Sequence, residues 1–353
     1  MNKKLRLGCI GTGGICNYAH IPTYVTLDSL ELVAVYDTDR LAAEQAREKY
    51  ISLAGGAEVI ICESAEELFG MVDIVDICTP VRWHAYYAAM ALERNVHVMS
   101  EKPMARTWLE ANHVAELSHQ SKALYQLNDD NIFIPRYLAL RTVVESGMIG
   151  DVQNVWIARG TPSSDRKPWF YNAVDDGGGA IMDYGSHATA STWFLIGYDK
   201  VPVEVRSLGI GVKERTRLVD GRIQRIEVDD DAHFKVLYRD HKNGDWINVV
   251  IEATWTWPHL GRLSSDVHGY IEIEGSEGTV TGCVDDQERD FLLIRHRTFG
   301  ERTIPVKTVH SEDESFKGEM TNFVMSIRHG VKSMLNADVG AGIIGILNCA
   351  QLS

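Results

Sequence analysis

A glycine-rich turn between a short apolar strand and a helix places the strongest constraint on how this chain folds. Residues 5–10 have the pattern of a strand, and the run GTGGIC at 11–16 follows them directly. A helical stretch and a second strand over Leu30 to Tyr36 then complete a βαβ unit that ends in Asp37. In that context the G-x-G-x-x-G/A pattern indicates a dinucleotide-binding turn.

Each position of this run has a physical role in holding a dinucleotide. Gly11 permits the tight turn, and Gly13 lets the backbone approach a pyrophosphate that rests on the helix N-terminus. The third small position is Cys16, which still allows close helix–strand packing. Asp37 lies about 20 residues further on, where a carboxylate accepts a hydrogen bond from a ribose 2′-OH and repels a 2′-phosphate. The sequence therefore favours NAD over NADP, with Arg40 as a small counterweight.

The same alternation of strands and helices continues to residue 127. It predicts a doubly wound parallel sheet whose remaining strands and helices cover 57–61, 73–78, 83–93, 96–99, 107–119 and 123–127. Ligands of such sheets bind beyond the carboxyl ends of the strands. Two polar segments lie at those ends, Thr79-Pro80 and Glu101-Lys102-Pro103. Lys102 is either a group that hydrogen-bonds a reacting hydroxyl or a solvated surface lysine.

After residue 128 the alternation stops and the pattern becomes that of an α+β domain. We expect helices at 136–146, 319–329 and from about 180 to Gly197, and a mostly antiparallel sheet built from 152–158, 201–212, 233–238, 246–257 and 270–274. The predicted domains are 1–127 and 128–353. Between strand and helix, a loop over 159–176 leads to the run Gly177-Gly178-Gly179.

Asp183 and His187 are four residues apart on the helix predicted from about residue 180 to Gly197, so they share one face. A carboxylate beside an imidazole suits a general base near neutral pH. The alternatives are a surface pair, a buried histidine with its bonds satisfied, or a metal site. The metal site is the weakest because no third ligand has a recognisable spacing. Trp255 and Trp257 alternate as in a strand, which favours core or interface packing over sugar stacking.

Charge and composition exclude several classes of partner. Lys plus Arg number 35 and Asp plus Glu number 49, a balance of −14 that repels nucleic-acid phosphates and anionic lipid. No apolar run approaches the ~20 residues of a membrane span. The six cysteines form no CxxC pair, which indicates free thiols in a reducing cytoplasm. We expect a cytoplasmic protein with no nucleic-acid or membrane partner.

With these motifs in order, the chain resembles the Gfo/Idh/MocA oxidoreductases. The matching segments extend over most of the sequence, and they are 11–15, His20-Ile21-Pro22, 32–37, Thr79-Pro80 with His84, Glu101-Lys102-Pro103, 147–150, 177–179 with 183–187, 275–278 and 323–330. The resemblance implies an N-terminal Rossmann domain and a C-terminal domain with an open-faced, mostly antiparallel sheet. It also implies a homodimer or homotetramer.

The resemblance further implies reversible oxidation of a secondary alcohol of a sugar, inositol or related polyol by NAD(P). His187 would take the hydroxyl proton, Asp183 would hold the imidazole and the substrate, and Lys102 would hydrogen-bond the reacting oxygen. No metal is implied. The expected cofactor contacts are Gly11, Thr12, Gly13, Gly14, Ile15, Asp37, Thr38, Arg40, Thr79, Pro80, His84, Glu101 and Lys102. From their place before the catalytic helix, the expected substrate contacts are Arg166, Trp169 and Tyr171.

Two other functions are compatible with the same motifs. Some relatives hold NAD tightly and use transient oxidation to cleave a glycosidic bond or to epimerise a sugar. One relative is a sugar-sensing regulator without catalysis, which the retention of Lys102, Asp183 and His187 disfavours. The sequence leaves open the substrate and the direction of the reaction.

Overall fold

The computed structural model divides the chain into two compact units, which comprise 1–130 with 311–344, and 131–310 with 345–353. The residues that it describes are 3–160, 167–176, 178–219, 221–256, 269–285, 287, 289–307 and 313–353. The sequence predicted one boundary, between domains 1–127 and 128–353. In the structure, residues 311–344 also belong to the first unit.

The first unit contains the parallel sheet that the sequence predicted. Its described strands are β1 (Leu5–Ile10), β2 (Leu30–Tyr36), β3 (Ile60–Ile61), β4 (Ile74–Ile77), β5 (His97–Glu101) and β6 (Tyr125–Asn128). They lie in the order β3-β2-β1-β4-β5-β6, and each neighbouring pair is parallel. The direction of winding reverses between β1 and β4, which is where such sheets open a crevice for a ligand. The predicted Rossmann architecture is therefore confirmed.

Helices connect these strands. They are α1 (Ile21–Val25), α2 (Arg40–Ala54), α3 (Ala65–Phe69), α4 (His84–Glu93) and α5 (Trp108–Gln120). A π-helical turn, Cys16–His20, leads from the glycine-rich run into α1. Side chains define the starts of the longer helices: Asp39 accepts from the Leu41 N–H, and Thr107 and Glu110 form a reciprocal capping box. These caps satisfy N–H groups that the helices themselves cannot pair.

The second unit contains a mostly antiparallel sheet, as predicted. Its described strands are β7 (Val152–Gly160), β8 (Lys200–Gly211), β9 (Thr216–Val219), β10 (Arg222–Arg225), β11 (Asp231–Asp240), β12 (Trp246–Thr254), β13 (Tyr270–Gly275), β14 (Gly278–Val284), β15 (Asp290–His296) and β16 (Gly300–Pro305). The large sheet has the order β16-β15-β14-β13-β7-β12-β11-β8, in which only β7 and β12 pair in parallel within the described ranges. Strands β9 and β10 form a separate hairpin.

Helices pack on this sheet and bury alternate residues of its strands. These helices are α6 (Pro135–Glu145) and α8 (Ala180–Ile196), and the short helix α7 (Ala173–Asp176) precedes α8 in the chain. Helix α8 lies against β7 and β12, and α6 lies against β14 and β15. On β11 the buried positions include Phe234, Val236 and Tyr238, two residues apart, as a sheet with one covered face requires. The sequence did not predict β9, β10 or β14 to β16.

The last two helices are α9 (Asp313–His329) and α10 (Ala337–Leu352). Helix α9 belongs to the first unit because Met320, Phe323 and Val324 are buried in the same core as β1 and β2. The predicted helix at 319–329 is thus present and begins earlier. Among helices of the described ranges, none has both the length and the apolar character needed to cross a membrane.

Candidate functional site

The glycine-rich turn is shaped by one close contact and is otherwise open. Gly11 has φ +85°, and a Cβ there would lie 2.6 Å from the Thr79 nitrogen and 2.7 Å from the Cys78 carbonyl carbon. Only glycine fits where the ends of β1 and β4 meet so closely. By contrast, Gly13 and Gly14 are exposed, and a Cβ on either would have no described atom within 4 Å. Their backbone can therefore approach a pyrophosphate.

Asp37 lies beside this turn, immediately after β2. Its Oδ2 accepts hydrogen bonds from the Thr12 N–H at 2.7 Å and from the Thr12 hydroxyl at 3.0 Å. Its Oδ1 accepts from the Asp39 N–H at 2.9 Å. These bonds fix the carboxylate at the position where a dinucleotide ribose lies in such folds. The exposed Arg40 is paired with Glu63 and Glu44, while Thr38 is also exposed.

Behind the turn, small side chains fill the space between helix and strand. Cys16 is fully buried, with its Sγ 3.3 Å from the Sγ of Cys9 on β1. Ile15 is partly buried against the same core. The unusual cysteine at the third fingerprint position therefore fits the close packing that this position requires.

The loops after β4 and β5 are held together by His84. Its Nδ1 lies 2.7 Å from the Pro103 carbonyl oxygen, and its Nε2 lies 2.7 Å from the Thr79 carbonyl oxygen. Burial lowers the pKa of His84, although its contacts with the Pro103 and Thr79 carbonyls oppose the shift. With both nitrogens facing the backbone, His84 positions the Thr79-Pro80 and Lys102-Pro103 loops. This differs from the direct cofactor contact expected from the sequence.

Four predicted cofactor contacts, which are Thr79, Pro80, Glu101 and Lys102, lie on or beside those loops. The Thr79 hydroxyl is buried without a hydrogen-bond partner among the described residues, so it is available to a ligand. Glu101 ends β5. Lys102 follows it and is partly buried. All belong to the first unit, whereas Asp183 and His187 belong to the second.

Helix α8 begins at a tight glycine contact with a neighbouring loop. The Asp229 carbonyl oxygen accepts from the Ala180 N–H at 2.9 Å, and the Asp229 Oδ2 accepts from the Ile181 N–H at 2.8 Å. A Cβ on Gly179 would lie 1.8 Å from that carbonyl oxygen, so glycine is required for the cap to form. Gly177, the first glycine of the predicted run, lies outside the described residues.

Asp183 is buried one turn into α8, and Trp255 holds it. The indole Nε1–H donates to the Asp183 Oδ2 at 2.9 Å. Trp255 is itself 1% exposed and packs edge-on against Tyr171, with ring centroids 5.8 Å apart. The predicted core role of Trp255 accounts for its burial, but sequence reasoning missed its bond to Asp183. The alternation that placed Trp255 in a strand carries no information about that partner.

His187 lies on the same helix and contacts Asn131. The Asn131 Oδ1 accepts from an Arg159 N–H at 2.6 Å, so the Asn131 amide nitrogen faces the His187 Nδ1. A guanidinium only donates, and this fixes which end of the amide it meets. The His187 Nδ1 must then accept, and a neutral ring carries its hydrogen on Nε2. Asn131 and Arg159 are further site residues that sequence reasoning missed.

The predicted substrate residues differ in exposure. Tyr171 is fully buried against Trp255, and Trp169 stacks on Phe170 with ring centroids 3.8 Å apart. Tyr171 can therefore act on a ligand only through the residues that it supports. Arg166 lies outside the described residues.

Family comparisons agree with this division into two units. The family model described as "Oxidoreductase family, NAD-binding Rossmann fold" matches residues 5–129. The model described as "GFO/IDH/MocA C-terminal domain" matches residues 137–281. The residues around the turn fit the NAD that the first description names, because the turn has an open backbone, a fixed carboxylate beside it and a buried hydroxyl without a described partner.

Individual proteins are similar to parts or all of the chain. D-glucoside 3-dehydrogenase of Escherichia coli is 32% identical over 57% of this chain, which spans 56% of that relative. Inositol 2-dehydrogenase of Rhizobium meliloti is 28% identical over 99% of this chain and 96% of its own length. An oxidoreductase domain protein from Kribbella flavida has the same fold, with a TM-score of 0.82 and 22% identity over 99% of this chain and 97% of that one.

We predict that the cap on α8 makes stability depend on pH. Burial raises the pKa of Asp229 to about 7, above ~3.9 in an unfolded chain. The folded state keeps the proton while the unfolded state loses it, so stability falls between pH 4 and 7 and then stays level. Asp229→Asn keeps the acceptor without the charge. Relative to wild type, its free energy of unfolding should therefore rise by about 4 kcal/mol from pH 4 to pH 8.

Urea denaturation at a series of pH values measures this gain. Asp199→Asn is the control with the opposite sign, because its hydrogen bonds with Lys242 and Lys200 outweigh burial and lower the pKa of Asp199 to about 2. That variant should lose stability relative to wild type above pH 4. A constant difference between Asp229→Asn and wild type from pH 4 to pH 8 would show that the cap does not titrate.

Proposed function

Since the chain belongs to the GFO/IDH/MocA oxidoreductase family, we propose that it is an NAD-dependent dehydrogenase of a sugar, inositol or related polyol. The observation that carries the proposal is the arrangement of α8, which presents Asp183 and His187 one turn apart, each held by a partner from another element. The names of the glucoside and inositol dehydrogenases support the substrate class. The reacting group is a secondary alcohol.

The glycine-rich turn, Asp37 and Thr79 would hold the cofactor. Bound NAD supplies the acceptor for the hydrogen that leaves the carbinol carbon. The backbone of Gly13 and Gly14 would face its pyrophosphate, and Asp37 would accept from the ribose hydroxyls. Two observations support NAD over NADP. The Asp37 carboxylate would repel a 2′-phosphate, and Arg40 is already engaged by two glutamates.

The chain's own residues would handle the hydroxyl proton. His187 takes that proton at Nε2, in the tautomer that carries its ring hydrogen on Nδ1, while Lys102 hydrogen-bonds the same oxygen and favours its alkoxide character. Asp183, oriented by Trp255, orients the substrate. Trp169 and Tyr171 would shape the substrate-binding part of the site, and Arg166 would offer a positive charge to an acidic sugar.

The location proposed for the protein is the cytoplasm. The free thiols, among them Cys9 and Cys16, support it.

Assembly into a homodimer or homotetramer is part of the same proposal. Among the described strands, β8 lies at one edge of the large sheet, and its Val201, Val203 and Leu208 are exposed. An edge strand that exposes apolar side chains is a surface that proteins usually cover. A second copy of the chain would cover it.

The proposal predicts turnover that depends on Lys102 and His187. We expect reduced nicotinamide to form with at least one of a panel of inositols, aldoses, sugar acids and glycosides. Lys102→Ala and His187→Ala should each lower kcat by about 100-fold or more, since each removes a group that contacts the reacting oxygen. Absorbance of the reduced nicotinamide measures this rate.

Lys122→Ala and His113→Ala are matched controls, because both side chains are exposed outside the site, and both variants should keep the wild-type rate. Absence of net reduction, together with turnover of glycosides by protein that retains its cofactor, would contradict the proposal. That result would indicate a closed oxidation–reduction cycle.

Asp37 should determine the choice between NAD and NADP. Asp37→Ser removes the charge that repels a 2′-phosphate, so the ratio of kcat/KM for NADP to that for NAD should rise at least tenfold. Steady-state kinetics with both cofactors measure the ratio. Asp39→Ser is the control, because it removes an exposed carboxylate two residues away that caps α2. An unchanged ratio in Asp37→Ser would assign the discrimination to other residues.

Asn131 should limit His187 as a base. A lone pair on Nε2 requires hydrogen on Nδ1, but the Asn131 amide nitrogen faces Nδ1. In Asn131→Asp a carboxylate would accept from Nδ1–H and favour the tautomer that can take a proton. We expect kcat for oxidation to rise about tenfold in that variant, within the 10²–10⁴-fold that a general base contributes.

The comparison variant is Asn131→Ala, which offers neither donor nor acceptor and should not show the gain. Both rates come from the nicotinamide assay at pH 7. A lower oxidation rate in Asn131→Asp than in Asn131→Ala would mean that His187 serves as a hydrogen-bond donor.

A further inference from the structure

His20 lies at the centre of a buried charge cluster that the mechanism above does not use. Its Nδ1 is 2.6 Å from the Asp76 Oδ2, and its Nε2 is 3.0 Å from the Glu101 Oε1. The side chains of His20 and Asp76 are 0% exposed. The cluster connects the helical turn after the glycine-rich run, strand β4 and the carboxyl end of β5.

The imidazole in this cluster is positively charged. Burial opposes that charge, but the charges and hydrogen bonds of Asp76 and Glu101 outweigh burial and raise the pKa of His20 well above its usual value. Both ring nitrogens then carry hydrogen, so each donates to one carboxylate. Such charge-assisted bonds are stronger and more directional than neutral ones.

Asp76 has further donors of its own, whereas Glu101 relies on His20 within the cluster. The Tyr24 hydroxyl donates to the Asp76 Oδ2 at 2.6 Å, and the Asn128 amide donates to the Asp76 Oδ1 at 3.2 Å. Glu101 is also the member that reaches the surface, with 13% of its side chain exposed. The solvent-exposed end of the cluster, Glu101, therefore lies next to Lys102 in the chain.

The groups packed around His20 leave this pairing undisturbed. The ring of Phe316 on α9 lies 5.7 Å from the His20 ring, and the Cys78 Sγ lies 3.4 Å from the His20 Nδ1. The nearby Glu319 carboxyl is fully buried without a hydrogen-bond partner among the described residues. Burial, together with repulsion by Glu101 and Asp130, raises the pKa of Glu319 well above its usual value. Glu319 is therefore neutral and does not compete for the imidazolium.

We propose that His20 is a positioning residue, which holds the Glu101 carboxylate and thereby sets the Glu101-Lys102-Pro103 segment for the cofactor and the reacting oxygen. This rests on the roles given above to Glu101 and Lys102. An isolated buried ion pair seldom adds net stability over apolar packing. A role in placing Glu101 explains why a charged pair, rather than apolar side chains, occupies this position.

Two amide substitutions separate positioning from stability. The amide nitrogen of His20→Gln extends as far as the imidazole Nε2 and can donate to Glu101. The amide nitrogen of His20→Asn extends only as far as Nδ1 and can donate to Asp76. Each variant loses the imidazolium and keeps one bond, so both should lower the melting temperature by similar amounts. Tyr24→Phe, which removes a donor from the far side of Asp76, is the matched control.

The readouts are the Kd of NADH by fluorescence, the kcat and KM with the polyol that wild type oxidises, and the melting temperature. We expect His20→Gln and Tyr24→Phe to keep the Kd of NADH and kcat within about threefold of wild type. In His20→Asn we expect at least a tenfold loss in kcat or in NADH affinity. Equal effects of the Gln and Asn variants on binding and kcat, at a temperature where both are folded, would overturn the proposal.

NADH binding is measured without a second substrate, so this experiment remains informative if no polyol is oxidised. Such a result would contradict the proposed function alone. If neither His20 variant folds, nitrogen NMR of wild type replaces them. We then expect NADH to shift the His20 Nε2 resonance, which faces Glu101, much more than the Nδ1 resonance. Absence of a shift at Nε2 on saturation with NADH would overturn the proposal.

Discussion

The close approach of Gly11 to the backbone of Cys78 and Thr79 is the constraint on which the first unit's ligand site depends. A side chain at Gly11 would separate the carboxyl ends of β1 and β4, which pair through Ile10 and Ile77. The winding of the sheet reverses between these two strands, so this is where the crevice opens. The open backbone of the turn, the Asp37 carboxylate and the Thr79 hydroxyl share this edge because the strands meet so closely.

A similar contact organises the second unit. Gly179 approaches the Asp229 carbonyl oxygen more closely than any other residue type could, and this starts α8 with two of its N–H groups satisfied. The start of the helix then determines which residues lie on its inner face. Asp183 meets Trp255, and His187 meets Asn131, so both side chains are oriented by partners outside the helix. Rigid support of this kind is what a reacting group needs.

Local patterns predicted the elements that local sequence determines. The strand Leu30 to Tyr36 has the predicted limits, and the α8 stop at Gly197 follows from a glycine with φ +104°. Strand β16 was not predicted because every residue of it is exposed, and β14 was not predicted because its buried residues are consecutive rather than alternating. The place of α9 in the first unit was also not predictable, since helical spacing does not specify which core a helix joins.

The site could be predicted only as far as its residues are close in sequence. The spacing of Asp183 and His187 placed them on one face of a helix, but their partners Trp255 and Asn131 are 72 and 56 residues away. The partners of His20 are 56 and 81 residues away. The local sequence around each of these residues does not identify its distant partner. Family resemblance suggested which residues matter, whereas the contacts that hold them came only from the three-dimensional structure.

Hydrogen-bond donors decide what burial does to the carboxyl groups of this acidic chain. Burial raises the pKa of Asp229 to about 7, although two backbone N–H groups oppose the shift. Burial also favours a higher pKa for Asp231, but bonds from His233 and Lys213 outweigh it and lower that pKa. Glu319 has no described donor, and its pKa rises well above the usual value. The ionised state of a buried carboxylate therefore depends on donors from other elements.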